Sequence, residues 1–169
     1  MAEQGKAKSK VKPVPEGYHT LTPYISVKGA REALAFYKKA LGAQELFHMD
    51  MPDGRIGHAE MQIGDSRFML ADEMPEMADA VAKSPQTLGG TTCGLMIYLE
   101  GVDARFKQAL DAGGKVKRPV QDQFYGDRTG TLEDPFGHIW TIGTHVEDVA
   151  PGELKKRAAE MFKQQGKAA

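Results

Sequence analysis

An internal repeat constrains this chain more than any other feature. Sliding the second half back by 72 positions sets Ile97 on Ile25, Leu99 on Val27, Gly101 on Gly29 and Gly114 on Gly42. A slide of 73 sets Gly130 on Gly57, Glu133 on Glu60 and Gly137 on Gly64. The matches fall at both ends of a helical segment and at two late turns, an arrangement that scattered glycines do not produce. A period of this length means two copies of one supersecondary unit stacked or paired in a single fold.

Each copy reads the same way. In the first, Leu21–Val27 alternates as a strand, and Ala30, Ala33, Leu34, Tyr37 and Leu41 then recur at helical spacing until Gly42 stops the helix. Three alternating strands follow, over 43–51, 55–63 and 66–72, with Asp53-Gly54 and Gly64-Asp65 as turns. In the second copy 94–100 is a strand, Val102, Phe106 and Leu110 form one helical stripe, and 115–121, 128–134 and 137–143 are strands. The expected fold class is therefore α+β: two tandem β-α-β-β-β modules, about 20–73 and 93–145, forming curled mixed sheets around a cavity. They make a single domain over 17–148. The Lys-rich, Pro-containing residues 1–16 are expected to be a disordered tail, and 149–169 a C-terminal helix and tail. The stripe Leu154, Ala158, Met161 and Phe162 packs on its own domain or stabilises a dimer.

Period-two alternation assigns the sheet faces. Ile25, Val27, Ala59, Met61, Ile63, Phe68, Leu70, Ile97, Leu99, Trp140 and Ile142 go to the core. The opposite parity carries Thr22, Tyr24, Ser26, His58, Glu60, Gln62, Arg67, Met69, Met96, Tyr98, Thr131, Glu133, Thr141 and Gly143. Apolar and aromatic groups interspersed with a few polar ones are the lining of a concave ligand site rather than of a solvated sheet face.

Composition removes other classes. The net charge is -1, and the lysines of the tail have no interleaved aromatic residues, so no nucleic acid is expected as partner. No apolar run is long enough to cross a membrane and the N-terminus has no apolar signal core. The single cysteine, Cys93, rules out an internal disulfide and fits a cytoplasmic location. No G-x-S-x-G, phosphate-cradling loop or zinc spacing is present.

The stretches YISVKGAREALAFYKKALGAQ, GHAEMQIGDSRFMLADE and YGDRTGTLEDPFGHIWTIGTHVED resemble the vicinal oxygen chelate superfamily, which includes glyoxalase I, extradiol dioxygenases and bleomycin-resistance proteins. The likeness runs from Tyr18 to Asp148 and is strongest to its PhnB-like branch. It implies paired modules, a small-molecule ligand or substrate, and a homodimer. It also implies a divalent metal held by His, Gln or Glu from the first and fourth strands of each module. Those positions fall on or next to Thr22, Met69, Met96 and Thr141, which are poor partners for a hard cation.

The expected function is accordingly binding of a small organic molecule with no cofactor. The pocket is expected to contain Tyr24, His58, Glu60, Met69, Met96, Tyr98, Tyr125, Arg128, Glu133 and Thr141. The alternative is a metal-dependent lyase, isomerase or dioxygenase, with His58 and Glu60 as catalytic candidates and a divalent metal on His58, Glu60 and Glu133, where Glu133 approaches as the repeat-mate of Glu60. A ligand-free structural dimer is the third possibility. Tyr125, Asp127 and Arg128, in the loop 124–130, are candidates for the pocket rim, and Arg128 alternatively pairs with Asp127 or another carboxylate. His138 is expected to be structural, and His145 and Glu147, after the last strand, to lie at the surface or at an interface.

Overall fold

The computed structural model describes residues 11–77 and 82–165; the remaining parts of the N-terminal tail, the long connection and the C-terminal tail lie outside the described residues. The first module is β1 (Tyr24–Val27), α1 (Ala30–Leu41), β2 (Gln44–Asp50), β3 (Ile56–Ile63) and β4 (Ser66–Asp72). After α2 (Pro85–Leu88) comes the second: β5 (Gly94–Tyr98), α3 (Val102–Asp111), β6 (Lys115–Asp122), β7 (Asp127–Glu133) and β8 (Ile139–His145). The last described element is α4 (Pro151–Gln165). Each module forms one four-stranded sheet, β1-β4-β3-β2 and β5-β8-β7-β6, in which only β1–β4 and β5–β8 are parallel.

The two module helices, α1 and α3, start at a left-handed glycine, Gly29 and Gly101, and their first free amides are met from the end of the fourth strand of each module. Asp72 Oδ1 accepts the amides of Gly29 and Ala30, each at 2.9 Å, and Asp72 Oδ2 accepts that of Ile56 at 2.8 Å. A carboxylate at a helix N-terminus also complements the helix dipole. The same place in the second module holds Thr144, whose Oγ1 accepts the Val102 amide at 3.2 Å.

The helices α1 and α3 pack on each other, so the two modules share one core. Tyr37, Phe68 and Trp140 meet at centroid distances of 5.4 to 5.8 Å. Beneath them Asp134 is 2% exposed. It accepts from Tyr37 Oη at 2.7 Å, Trp140 Nε1 at 2.9 Å, and the amides of Phe136 and His138 at 2.9 Å. One carboxylate thus ties the first helix to the last strand. His138 is buried and its Nε2 meets Ser26 O at 3.0 Å, a structural link between modules.

The residues assigned to the core by alternation are buried, with Ile97 and Leu99 half-buried at its margin. The register between modules differs from expectation in one strand. Tyr24 lies opposite Met69, which lies opposite Glu60; Met96 lies opposite Thr141, which lies opposite Thr131. Glu60 therefore corresponds to Thr131, and Glu133 corresponds to Gln62. The slide of 73 that set Glu133 on Glu60 is two residues out: the offset is 72 at Gly42 and Gly114, 71 along β3 and β7, and 72 along β4 and β8, so the second module is one residue shorter before β7 and one longer in the turn between β7 and β8. Glu133 pairs there with Ile139, whereas Gln62 pairs with Arg67 across the shorter turn.

Candidate ligand-binding site

The face opposite the helices carries two polar constellations, one per module. In the first, Tyr24 Oη meets His58 Nδ1 at 3.1 Å, and His58 Nε2 lies 3.5 Å from Glu60 Oε1. Adjacent strands β1, β4 and β3 deliver these side chains to one face. Phe47 and Met49 on β2 lie opposite Glu60 and His58 and complete it. Phe47 and His58 rings stand 6.4 Å apart. Sequence alternation did not find Phe47, because a register shift between Glu45 and Phe47 breaks the period in β2.

Residues preceding β1 wall this face on one side. Arg67 Nη1 donates to Glu16 O at 3.0 Å and the guanidinium stacks on Tyr18 at 4.8 Å. Val14, Pro15, Tyr18, Thr22, Glu60 and Met69 line a hollow of about 410 Å³ there. The Tyr18 hydroxyl is buried without a hydrogen bond of good geometry. The Tyr18 phenol is nonetheless the main group holding the Glu60 carboxyl below the usual carboxylate range, against burial, with help from His58 and Arg67.

The second constellation centres on Asp127, 4% exposed, on β7. Tyr98 Oη donates to its Oδ2 at 2.7 Å, and His145 Nδ1 to its Oδ1 at 2.7 Å. His145 Nε2 lies 3.0 Å from Asp148 Oδ1. Donating to the Asp127 carboxylate pushes the Tyr98 phenol up to about 12. Asp127 and Asp148 raise the His145 imidazolium above its ordinary value. Burial works to raise the Asp127 carboxyl, but the bonds from Tyr98 and His145 outweigh it and leave it lowered. Met96, Tyr98, Thr129, Thr131, Thr141, Gly143 and His145 share this face, and the Thr131 and Thr141 hydroxyls bond at 3.0 Å.

The sequence-predicted residues divide accordingly. Tyr24, His58, Glu60 and Met69 come together in the first module; Met96, Tyr98 and Thr141 share the face of the second. Tyr125 is part-exposed beside Phe124 at 5.2 Å, in the turn before β7. Glu133 lies on the other sheet from His58 and Glu60 and is held by Lys117 Nζ at 2.9 Å. Among the described residues no three His, Cys, Asp or Glu side chains converge as a metal site. Arg128 is not at the pocket rim. It has the parity of core-facing Leu132, and forks onto Asp103 at 2.8 Å on α3 while meeting Asp122 at 2.9 Å. β7 starts one residue earlier than expected, at Asp127, and Asp127, in phase with Thr129 and Thr131, lies on the concave side.

This paired β-α-β-β-β architecture coincides with a family model, the Glyoxalase/Bleomycin resistance protein/Dioxygenase superfamily, which matches residues 18–142. The chain belongs to that superfamily. The Mycobacterium tuberculosis protein Rv0887c is 39% identical over 135 residues, 80% of this chain and 79% of that protein. In fold, TioX from Micromonospora sp. ML1 aligns with a TM-score of 0.59 at 23% identity, over 75% of this chain and 98% of TioX. A PhnB protein from Bacillus cereus aligns with a TM-score of 0.56 at 19% identity, over 75% and 99%.

The superfamily's metal positions can be tested against the donors present. Thr22 precedes β1 and donates to His19 O at 3.2 Å. Register makes Gly94 the counterpart of Thr22, and Tyr24 the counterpart of Met96. Threonine, methionine and glycine at these places do not fit a hard divalent ion. The Tyr24 phenol is engaged with His58 and raised by burial.

Proposed function

We infer that this protein binds a small organic molecule against the concave faces of its sheets, without the metal that the superfamily positions otherwise hold, and that two chains pair as a homodimer to close those faces. One observation carries this reading. Tyr24, Phe47, Met49, Met96 and Tyr98 are 44% to 58% exposed, and all lie on the concave faces beside polar groups already bonded within the protein. An apolar surface with a few oriented polar groups is suited to an amphipathic ligand, and contiguous exposed apolar surface marks a binding or pairing site. The donor sets at the metal positions support binding over Lewis-acid chemistry.

The competing reading is a metal-dependent lyase, isomerase or dioxygenase on His58 and Glu60, favoured by their shared face. A thermal-shift panel of small apolar and amphipathic compounds, on metal-free and metal-supplemented protein, separates the two. A ligand selective for the fold raises the melting temperature, and the binding reading expects shifts that are independent of metal and reduced by Tyr24→Ala or Tyr98→Ala. Shifts that appear only with a divalent metal and vanish in His58→Ala would overturn it.

A further inference from the structure

The Asp127 constellation is built differently from that of His58. A carboxylate 4% exposed needs hydrogen-bond donors to both oxygens and a compensating charge. Both oxygens are taken, by Tyr98 and His145, and His145 is the cation among the described partners. Its two ring nitrogens each face a carboxylate oxygen, Asp127 at 2.7 Å and Asp148 at 3.0 Å. A neutral imidazole donates through one nitrogen only, so this ring carries both protons. Asp127 fixes the ring through Nδ1 and aims Nε2–H outward.

The backbone around this ring is locked. The amides of Val146 and Glu147 both donate to Gly126 O at 2.9 Å. The segment passes so close that a Cβ on Gly126 would meet Glu147 O at 2.1 Å. The Asp148 side chain, by contrast, is fully exposed, and an exposed pair of this kind contributes little to stability. Asp148 is a readily displaced carboxylate on a fixed donor. Beside it the floor is apolar: Tyr98 and Met96 flank Gly143, where an added Cβ would meet Met96 Cε at 3.1 Å and Tyr98 Cε1 at 3.5 Å.

We propose that His145 Nε2–H is the anion-binding end of the second module's cup, that Asp148 occupies it in the free protein, and that the ligand is a small organic carboxylate whose aromatic or aliphatic body lies on Met96 and Tyr98. This rests on the small-molecule reading above and names the ligand's class.

The test uses the full chain and matched pairs of acids and amides: benzoate, phenylacetate, hydrocinnamate and hexanoate against the corresponding amides, titrated by calorimetry and followed in amide NMR spectra. At least one acid binds more tightly than its amide and shifts residues 126–130 and 143–148. Asp148→Asn, at an exposed position, tightens that acid about three- to fivefold by removing its internal competitor. His145→Gln weakens the acid about tenfold or more and leaves the amide unchanged. Acid and amide binding equally at this face would overturn the anion site while leaving the small-molecule reading standing. Absence of binding by every acid, to both wild type and Asp148→Asn, would overturn the anion site as well. A purely structural His145–Asp127 pair predicts no acid–amide discrimination and no gain in Asp148→Asn.

Discussion

At the scale of single residues, buried carboxylates organise this molecule. Asp134 gathers four donors from two modules, so Asp134→Ala leaves Tyr37, Trp140 and two amides unpaired in the core. Denaturant unfolding should register a loss of about 3 kcal/mol or more. Asp127 and His145 set a pH window. The lowered Asp127 contributes stability above its ordinary value of 3.8, and loses it as pH falls through the folded value. The raised His145 contributes below 6.5, and loses its contribution as pH rises through the folded value. The stability advantage of wild type over Asp127→Asn/His145→Gln should therefore peak between these two pH values and shrink on either side. An advantage that is flat with pH would remove the pair's charged state. On the sheet faces, His58 and Glu60 were legible from strand alternation, since both lie inside one regular strand. Asp127 was legible only as a rim candidate in the loop before β7, and His145 only as a surface or interface residue. Their partnership was not legible, because it joins the ends of two strands whose pairing only the fold reveals.

At the scale of elements, helices and most strands were legible because apolar periodicity and glycine stops agree with the final packing. The ladder register was less so. Glycine matches placed Glu133 with Glu60, but hydrogen-bonded pairing puts it with Gln62, because the longer second turn absorbs a residue that sequence sliding cannot locate. The 74–92 connection includes α2, which folds back on its own chain: Ser84 and Thr87 hydroxyls donate to Glu73 at 2.7 and 2.6 Å, and Gln86 reaches Pro135 O at 3.3 Å. The helix α4 is tied to its domain by Arg157, which forks onto Glu147 at 2.7 and 2.8 Å. Its stripe of Leu154, Ala158 and Met161 is half-buried, and Phe162 is 63% exposed. If this stripe serves dimer pairing, serines at Met161 and Phe162 weaken the dimer about tenfold while leaving monomer unfolding nearly unchanged. Sedimentation across a concentration series checks this; equal dimer affinity would return α4 to a purely intrachain role.

At the scale of the whole molecule, two modules share their cores through α1 and α3 and present their opposite faces outward. No described helix is long and apolar enough to cross a membrane. The exposed concave side chains of both sheets are the surface that a ligand and a second chain would cover, and superfamily membership fixes the architecture but not the occupant. Native mass spectrometry of protein purified without chelators tests the central claim most directly, since one spectrum reports chain number, organic ligand and metal together. The account predicts a dimer without stoichiometric divalent metal that takes up a small organic molecule. A species carrying one divalent metal per chain, lost in His58→Ala, would contradict it.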